Sequence, residues 1–185
     1  MMDVIRMKTP PKRLLGRLVA TRLPGRTPAG RLQAADLSLP CAIGSAGVRH
    51  DKREGDHASP AGSWRLLYGF FRADRHAPRA PLLPMRAARR QDGWCDDPAS
   101  ALYNRRVATP FASSFETLWR DDRLYDIVIV LDYNIHPRRK GRGSAIFLHC
   151  ARDGFAPTEG CIALRPQDFR RLLPRLSSQT ILTIR

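Results

Sequence analysis

The chain has 185 residues, of which 43% are hydrophobic and 26% charged, so it is too apolar for a disordered polypeptide and long enough for one domain with a real core. Thirty-two Lys and Arg face 17 Asp and Glu, and the net charge of +15 predicts a surface that attracts polyanions such as nucleic acid, an acidic cell-wall polymer or an anionic membrane face. No apolar run approaches the ~20 residues of a membrane span, so we expect no transmembrane segment.

The first 29 residues are rich in arginine and proline. Residues 4–8 could form a short strand, whereas residues 9–29 are predicted to be a mobile, basic extension. The apolar stretch over residues 14–20 is interrupted by Arg17, so the sequence contains no recognisable export signal. We therefore expect one folded domain over residues 30–185, preceded by this extension.

From Gly30 to the middle of the chain, the pattern is typical of β-strands joined by long loops. Residues 31–34 and 37–43 predict a hairpin, and the aromatic and aliphatic run over residues 64–71 predicts a further strand. Residues 72–110 combine prolines and arginines without a clear period, so we expect a long excursion there. Ordered loops of such length are usually functional.

The second half of the chain has a more regular pattern. Residues 125–131 and 144–149 predict buried strands, and residues 180–184 predict a terminal strand. Pro166 opens a helix, since proline is well tolerated in the first helical turn. Four residues give this helix its apolar face: Phe169, Leu172, Leu173 and Leu176. The sequence therefore predicts a mainly β domain with one helix near the C-terminus.

The cysteine and histidine residues argue against a metal centre. The four cysteines, at positions 41, 95, 150 and 161, contain no Cys-x-x-Cys pair, and a chain of this length does not need a disulfide framework. Four of the histidines lie in polar loops and are interpreted as surface residues: His50, His57, His76 and His136. We therefore expect neither a metal nor a cofactor.

The remaining histidine and one cysteine form a candidate catalytic pair. His149 ends an apolar strand, and Cys161 follows Thr158, Glu159 and Gly160 in the return loop. A free thiol is only a few per cent ionised at neutral pH, so a nucleophilic cysteine needs a neighbouring base such as histidine. The glycine permits close backbone approach, and the Gly160 and Cys161 amides could hold an oxyanion.

The same two residues also have a structural interpretation. Cysteine is among the most buried residue types, and a lone histidine is often structural. The order of the pair is informative as well, because papain-like proteases place the cysteine before the histidine, whereas here the histidine comes first.

Several segments resemble the L,D-transpeptidase catalytic domain family of the YkuD/ErfK type. Residues 146–149 and 158–164 resemble the signature that runs from a strand-borne histidine to a Ser/Thr-His-Gly-Cys box. Residues 52–56 and 59–62 look like the family's Thr-Pro-x-Gly segment. Residues 93–98 and 103–105 look like a subgroup motif.

The resemblance implies a β-sandwich-like domain and an acyl-transfer reaction. Such enzymes form an acyl-enzyme from a peptidoglycan stem peptide, release its terminal D-amino acid, and pass the acyl group to an amine. Cys161 takes the place of the nucleophile and His149 that of the base, while the backbone carbonyl of Cys150 orients the imidazole. The implied partners are peptidoglycan stem peptides, the implied location is the periplasm or cell envelope, and we expect a monomer.

The sequence departs from the family pattern beside the nucleophile. Glu159 stands where the family has histidine, and Ala163 and Leu164 stand where asparagine or arginine is usual. The spacing between His149 and Cys161 is also shorter than usual. Thr158 and Glu159 are therefore predicted to form a different acyl-donor pocket, and strict hydrolysis stays open. Glu159 could tune the ionisation of Cys161 and His149, meet a cationic amine, or be a solvent-facing loop residue, and we favour the amine.

The subgroup motif supplies further candidate substrate-binding residues, namely Trp94, Asp97, Tyr103 and Asn104. In the functional interpretation they belong to a lid over the peptide stem. In the structural interpretation Trp94 and Tyr103 simply pack in the core or in a loop.

Two other functions are compatible with parts of the sequence. The net charge suits a nucleic-acid-binding protein, but the aromatics are not interleaved with the basic runs and no zinc-finger or RNP1-type pattern occurs, so we expect no specific nucleic-acid partner. A sortase-like cysteine transpeptidase also places histidine before cysteine. That reaction needs a catalytic arginine, for which Arg165 and Arg185 are the nominal candidates.

Overall fold

A computed structural model of the protein describes residues 13–25, 29–75 and 82–185. Within these residues there are one α-helix, two short 3-10 turns and fourteen strands, which confirms the predicted mainly β fold. The elements are β1 (Arg17–Arg22), β2 (Ala29–Ala34), β3 (Leu37–Ala42), β4 (Val48–Arg49), β5 (Ser59–Pro60), β6 (Gly62–Phe71), β7 (Met85–Ala87), β8 (Asp92–Cys95), β9 (Arg105–Ala108), β10 (Phe115–Thr117), β11 (Ile127–Leu131), β12 (Phe147–Cys150), β13 (Ile162–Leu164), α1 (Pro166–Leu172) and β14 (Ile181–Ile184).

The central sheet closes on itself through its longest strand. Its order is β11-β12-β13-β3-β2-β1-β14-β6-β7, and β6 also pairs with β11. The first residues of β6, Gly62 to Arg65, pair with β14, whereas its later residues, from Leu66 to Phe71, pair with β11. All strands of this sheet except β7 therefore lie in one closed hydrogen-bonded circuit around the main apolar core.

The strands β11 to β13 have apolar neighbours on both faces. On the inner face, Ile129, Leu148 and Ile162 belong to the main core. On the outer face, Val128 and Phe147 belong to a second apolar cluster that includes residues of a small sheet of order β10-β8-β9. Because both faces are covered, every residue of β11 is buried. The small sheet thus forms a second layer over the outer face.

Strand β1 corrects the predicted N-terminal boundary. It pairs parallel to β14 and antiparallel to β2, and its residues Leu18 and Ala20 are buried in the main core. The expectation of a mobile extension over residues 9–29 is therefore wrong for β1, because the apolar side chains alternate inward while Arg17 and Arg22 stay exposed. The strand predicted over residues 4–8 lies outside the described residues.

The region 72–110 is also more regular than the sequence predicts. It contains β7, which joins the central sheet beside β6, and β8 and β9, which pair with each other in the small sheet. Each of these strands has only three or four residues. Such short runs give too few alternations for a period-two pattern to emerge from the sequence.

The predicted elements of the other regions are confirmed with small shifts of their bounds. Strands β2 and β3 form the hairpin around Ala35, which takes the left-handed conformation with φ 51°. Helix α1 begins at Pro166 as predicted but ends at Leu172, so two residues of its predicted face lie beyond it. All four residues are nevertheless buried in the main core: Phe169, Leu172, Leu173 and Leu176.

Candidate active site

The parallel pairing of β12 with β13 brings His149 and Cys161 onto the same face. Leu148 pairs with Ile162, and His149 pairs with Ala163, so Cys161 lies beside Phe147 at the start of β13. His149 and Cys161 are therefore diagonal neighbours, with Cα atoms roughly 8 Å apart from the strand spacing and rise. Phe147 and its neighbour Cys161 both point to the outer face. His149 shares this face because it lies two residues after Phe147 on β12.

The turn before Cys161 is held by backbone conformation and by two hydroxyl groups. Gly160 has φ 137°, and a Cβ there would lie 2.8 Å from the carbonyl oxygen of Ala58, so only glycine fits. The Thr158 hydroxyl donates to the Cys161 carbonyl at 2.7 Å, and the Ser59 hydroxyl donates to the same oxygen at 3.5 Å. The position of Cys161 is thus determined by its main chain.

The Cys161 thiol is buried and neutral in this arrangement. It donates to the carbonyl of Ala145 at 3.1 Å and accepts from the amide of Phe147 at 3.3 Å. Within the described residues no hydrogen bond joins it to His149. Burial raises the pKa of the Cys161 thiol well above its usual value, and the carboxylate of Glu116 raises it further.

The imidazole of His149 is fixed in one tautomer by the next residue. Its Nδ1 lies 2.8 Å from the carbonyl oxygen of Cys150. Burial lowers the pKa of His149 to about 4, so the ring is neutral at physiological pH and Nδ1–H is the donor. Nε2 is then the basic nitrogen. The ring also packs edge-on against Tyr125, with centroids 5.3 Å apart.

A groove of about 510 Å³ lies over this pair, between the central sheet and the small sheet. His149, Cys161 and Ala163 line it on the central sheet, and Phe115 to Thr117 of β10 line it on the small sheet. The ionisable residues of its wall are unevenly distributed. Four carboxylates and two guanidinium groups line the groove besides its two histidines, namely those of Glu54, Asp96, Glu116, Glu159, Arg120 and Arg152.

The two arginines lie on the histidine side of the groove. Both lower the pKa of His149, although less than burial does. Arg120 binds the carboxylate of Asp122 through two hydrogen bonds, at 2.9 and 2.7 Å, and its guanidinium lies 5.4 Å from the centre of the Tyr125 ring. The arginine charges are thus partly neutralised by Asp122.

The predicted lid residues lie behind the groove. Trp94, Tyr103 and Asn104 are at most 2% exposed and are not among the residues that line it. Trp94 donates from Nε1 to Asn104 Oδ1 at 2.9 Å, and the same oxygen accepts from the amide of Ala145 at 3.1 Å. The prediction of direct substrate contact is therefore wrong for these three residues. They support the loop whose carbonyl accepts the Cys161 thiol.

The other predicted binding residues have different positions. Glu159 is exposed and lines the groove, and Thr158 lines it while its hydroxyl supports the turn. Asp97 caps a turn by accepting from the amide of Ala99 at 2.8 Å, whereas its neighbour Asp96 lines the groove. The Gly160 amide donates to Thr158 Oγ1 at 3.2 Å, which argues against its predicted role in an oxyanion site.

Sequence reasoning missed the residues that the small sheet and its flanks supply. The hydroxyl of Tyr125 donates to Glu116 Oε1. Glu54 Oε2 accepts from the hydroxyls of Tyr103 and Ser144. Only Glu54 carried any signal, because it belongs to the segment 52–56 that resembles a family motif.

The structure also bears on disulfides, metal ligands and membrane-spanning helices. All four cysteines are free thiols. Over residues 13–25, 29–75 and 82–185, no group of three or more His, Cys, Asp or Glu residues is arranged to hold a metal ion. None of the helices described here has the length and apolar character to cross a membrane.

Comparison with known proteins defines the class of this fold and site. The sequence model of the L,D-transpeptidase catalytic domain (YkuD) matches residues 25–184, so the chain belongs to this family. Among curated proteins no match is found.

Two solved structures are similar to the chain at low sequence identity. One is Bdellovibrio bacteriovorus Bd1075, with 14% identity and a TM-score of 0.46, over 92% of this chain and 48% of that one. The other is Mycobacterium tuberculosis L,D-transpeptidase 1, with 10% identity and a TM-score of 0.38, over 91% of this chain and 61% of that one. The chain thus spans about half to three fifths of the length of these proteins.

Proposed function

We propose that the chain is a cysteine acyl-transferase that acts on peptidoglycan stem peptides through a thioester on Cys161. The observation that carries the proposal is the pairing in one groove of the Cys161 thiol with an imidazole whose Nδ1–H is bound to the Cys150 carbonyl. This bond leaves Nε2 as the proton acceptor, as a carboxylate does in a serine triad. Family membership supports the substrate class.

The electrostatics of the pair favour general-base catalysis over a preformed ion pair. The pKa of Cys161 is raised and that of His149 is lowered, so both residues are neutral at physiological pH. The thiol turns from Ala145 towards Nε2 and loses its proton as its sulfur attacks the donor carbonyl. The C–S bond then forms, and the C–N bond to the terminal D-amino acid breaks. His149 returns the proton to the departing amine.

An amine or a water molecule then releases the acyl group. Attack by an amine completes transpeptidation, whereas attack by water makes the enzyme a carboxypeptidase of the same fold. The exposed groove admits both acceptors, so the product distribution decides between them. The substrate class implies that the protein acts in the periplasm or cell envelope, and we propose that it does so as a monomer.

Mass spectrometry of the protein incubated with isolated muropeptides tests this function. We expect a covalent adduct on the wild-type protein, and on the Cys41→Ala, Cys95→Ala and Cys150→Ala variants as long as they fold. Cys161→Ala should form none and should lose all turnover, because no other thiol lines the groove among the described residues. An adduct that persists in Cys161→Ala would refute the assignment, and the released product distinguishes transfer from hydrolysis.

A further inference from the structure

The acidic residues of the groove differ from most other acidic residues of the protein. Lys and Arg outnumber Asp and Glu by 32 to 17, and most described aspartates outside the groove form ion pairs with them. Within the described part of the chain, no lysine or arginine forms an ion pair with the four carboxylates that line the groove, Glu54, Asp96, Glu116 and Glu159. In a chain with such an excess of arginine, these carboxylates are available to a cation that comes from outside.

Glu116 has the most defined position of these carboxylates relative to the catalytic pair. Its Oε1 accepts from the hydroxyl of Tyr125. The Tyr125 ring in turn packs edge-on against His149 and against Phe147, at centroid distances of 5.3 and 6.0 Å. Tyr125 therefore links the small sheet to the wall that bears the base. Within the residues that the structure describes, Glu116 Oε2 forms no hydrogen bond.

Asp96 supplies a second, independent indication of an amine ligand. Its Oδ1 is a buried atom without a hydrogen-bond partner in the described structure, and the residue lines the same groove as Glu116. A buried carboxylate oxygen without a donor costs roughly 1–3 kcal/mol or more, so such an atom calls for an explanation. An N–H group of a bound ligand would satisfy it.

In the second half of the reaction the acceptor amine has to lose a proton, and the carboxylates of the groove can accept it. An aliphatic amine arrives protonated at neutral pH and has to lose a proton before its nitrogen can attack a thioester. His149 serves the sulfur atom, and burial disfavours its charged form, so a carboxylate suits an incoming ammonium better. Burial raises the pKa of Glu116 to about 7, although the hydrogen bond from Tyr125 and the charge of Arg120 lower it, while the carboxylates of Asp96 and Glu159 act in the same direction as burial. The pKa of Glu116 is thus raised where that of His149 is lowered, and its carboxylate also matches the charge of the ammonium.

We propose that Glu116 binds the ammonium group of the acyl acceptor and removes its proton before the amine attacks the Cys161 thioester. This inference rests on the proposed acyl-transfer function. One ammonium proton passes to Glu116, the nitrogen forms a bond to the thioester carbon, and the C–S bond breaks. Nitrogen loses its second proton to the leaving sulfur, directly or through His149, and Glu116 releases the first proton to solvent. Asp96 holds the same ammonium through its unpartnered oxygen.

The test separates acylation from transfer. Acyl-enzyme is formed with isolated muropeptides, freed from excess donor, and mixed with ethylamine or hydroxylamine. Ethylamine is protonated at neutral pH, whereas hydroxylamine is largely neutral. Glu116→Gln, which keeps the size of the side chain, should slow transfer to ethylamine by about 10²–10⁴-fold, the range of a positioned base. Transfer to hydroxylamine should be slowed far less, so the ratio of the two transfer rates within each variant is the readout. Acylation is measured separately, because the Glu116 carboxylate also raises the pKa of Cys161.

The pH profile and a matched variant complete the experiment. The wild-type transfer rate should rise as Glu116 ionises and level off above about pH 7, whereas in Glu116→Gln it should keep rising with pH as the free amine accumulates. Asp153→Asn removes the same charge from an exposed position outside the groove and should behave as wild type. Equal slowing with both nucleophiles, or unchanged transfer to ethylamine, would overturn the role of Glu116. Failure of the wild type to form an acyl-enzyme would instead refute the proposed function.

Discussion

The two faces of β12 and β13 differ in what they allow a thiol to do. Cys150 points into the main core, where burial raises its pKa to about 12 and its sulfur lies 3.9 Å from the carbonyl of Ile127. Cys161 belongs to the outer cluster and is almost as buried, but it lines a groove with a histidine two residues along the partner strand. Burial alone therefore does not distinguish Cys150 from Cys161, the proposed nucleophile. The two thiols differ instead in that Cys161 lines the groove and lies near the imidazole of His149.

The outer face is thus expected to be important for chemistry and the inner face for stability. The outer cluster contains the ionisable residues and the groove, while the inner face packs aliphatic side chains from all strands of the closed circuit. Strands β11, β12 and β13 contribute to both faces because the side chains of a strand alternate between its two faces. Substitutions on opposite faces of one strand pair can therefore separate the two roles.

The largest effect is expected for His149→Gln, which should lose activity while the protein stays folded. His149→Gln should slow acylation by about 10²–10⁴-fold because the general base is removed. Its free energy of unfolding at neutral pH should change little, since the ring is neutral and lies beside a cavity. Single-turnover acylation and urea denaturation of the same sample measure the two quantities.

The matched variant lies on the inner face of the neighbouring strand. Ile129 pairs with Leu148 and is completely buried in the main core. Ile129→Ala should lower the free energy of unfolding by about 2–5 kcal/mol through lost burial and the cavity left behind. Its folded fraction should acylate at close to the wild-type rate. Wild-type acylation in His149→Gln would make that residue structural, and the comparison of the two faces would then fail.

The sequence allows the pair to be predicted because its geometry is local. His149 and Cys161 lie on consecutive strands, and the parallel register between them places both on one face. The residues that complete the groove come from farther away. Glu116 reaches it through the pairing of β10 with β8, and three-residue strands leave no detectable period.

The N-terminal strand illustrates the same limit. β1 pairs with β2, a neighbour in sequence, and in parallel with β14, from the other end of the chain. Its arginine content suggested a solvated segment, but those arginines lie at the strand ends while Leu18 and Ala20 face the core. Amino-acid composition does not distinguish the two faces of a strand, so the arginine content of this segment did not indicate that one face of β1 is buried.

A smaller effect is expected in the pH dependence of stability, where two groups of the groove oppose each other. The pKa of His149 is lowered to about 4, so its contribution to stability is present above the unfolded value near 6.5 and is lost as the pH falls to about 4. The pKa of Glu116 is raised to about 7, so its contribution is present below 4.5 and is lost as the pH rises through 7. Each contribution amounts to at most about 3 kcal/mol.

Removing either His149 or Glu116 should reveal the pH dependence that the other residue gives to the free energy of unfolding. In His149→Gln, the free energy of unfolding should fall relative to wild type as the pH rises from about 4 to 6.5, the range in which the lost His149 contribution develops. In Glu116→Gln it should rise relative to wild type between about pH 4.5 and 7, the range in which the Glu116 contribution is lost in wild type. Urea midpoints at half-unit pH intervals measure both. Slopes of the same sign in the two variants would contradict the opposed pKa shifts.

The smallest effect is expected at Glu159, where the structure helps to choose between two roles. The carboxylate raises the pKa of Cys161, but burial, Glu116 and the other contributions are larger, so its loss should barely move the pH profile of alkylation by iodoacetamide. Its exposed position in the groove suits recognition of a cationic amine instead. An exposed ion pair is worth about 0.2–1 kcal/mol, so Glu159→Gln should raise KM by at most roughly fivefold. Because such a contact is present in both the ground and transition states, kcat should be unchanged. A shift of about one pKa unit in the alkylation profile would show that Glu159 tunes the thiol, and an unchanged KM would make it a loop residue without a part in binding.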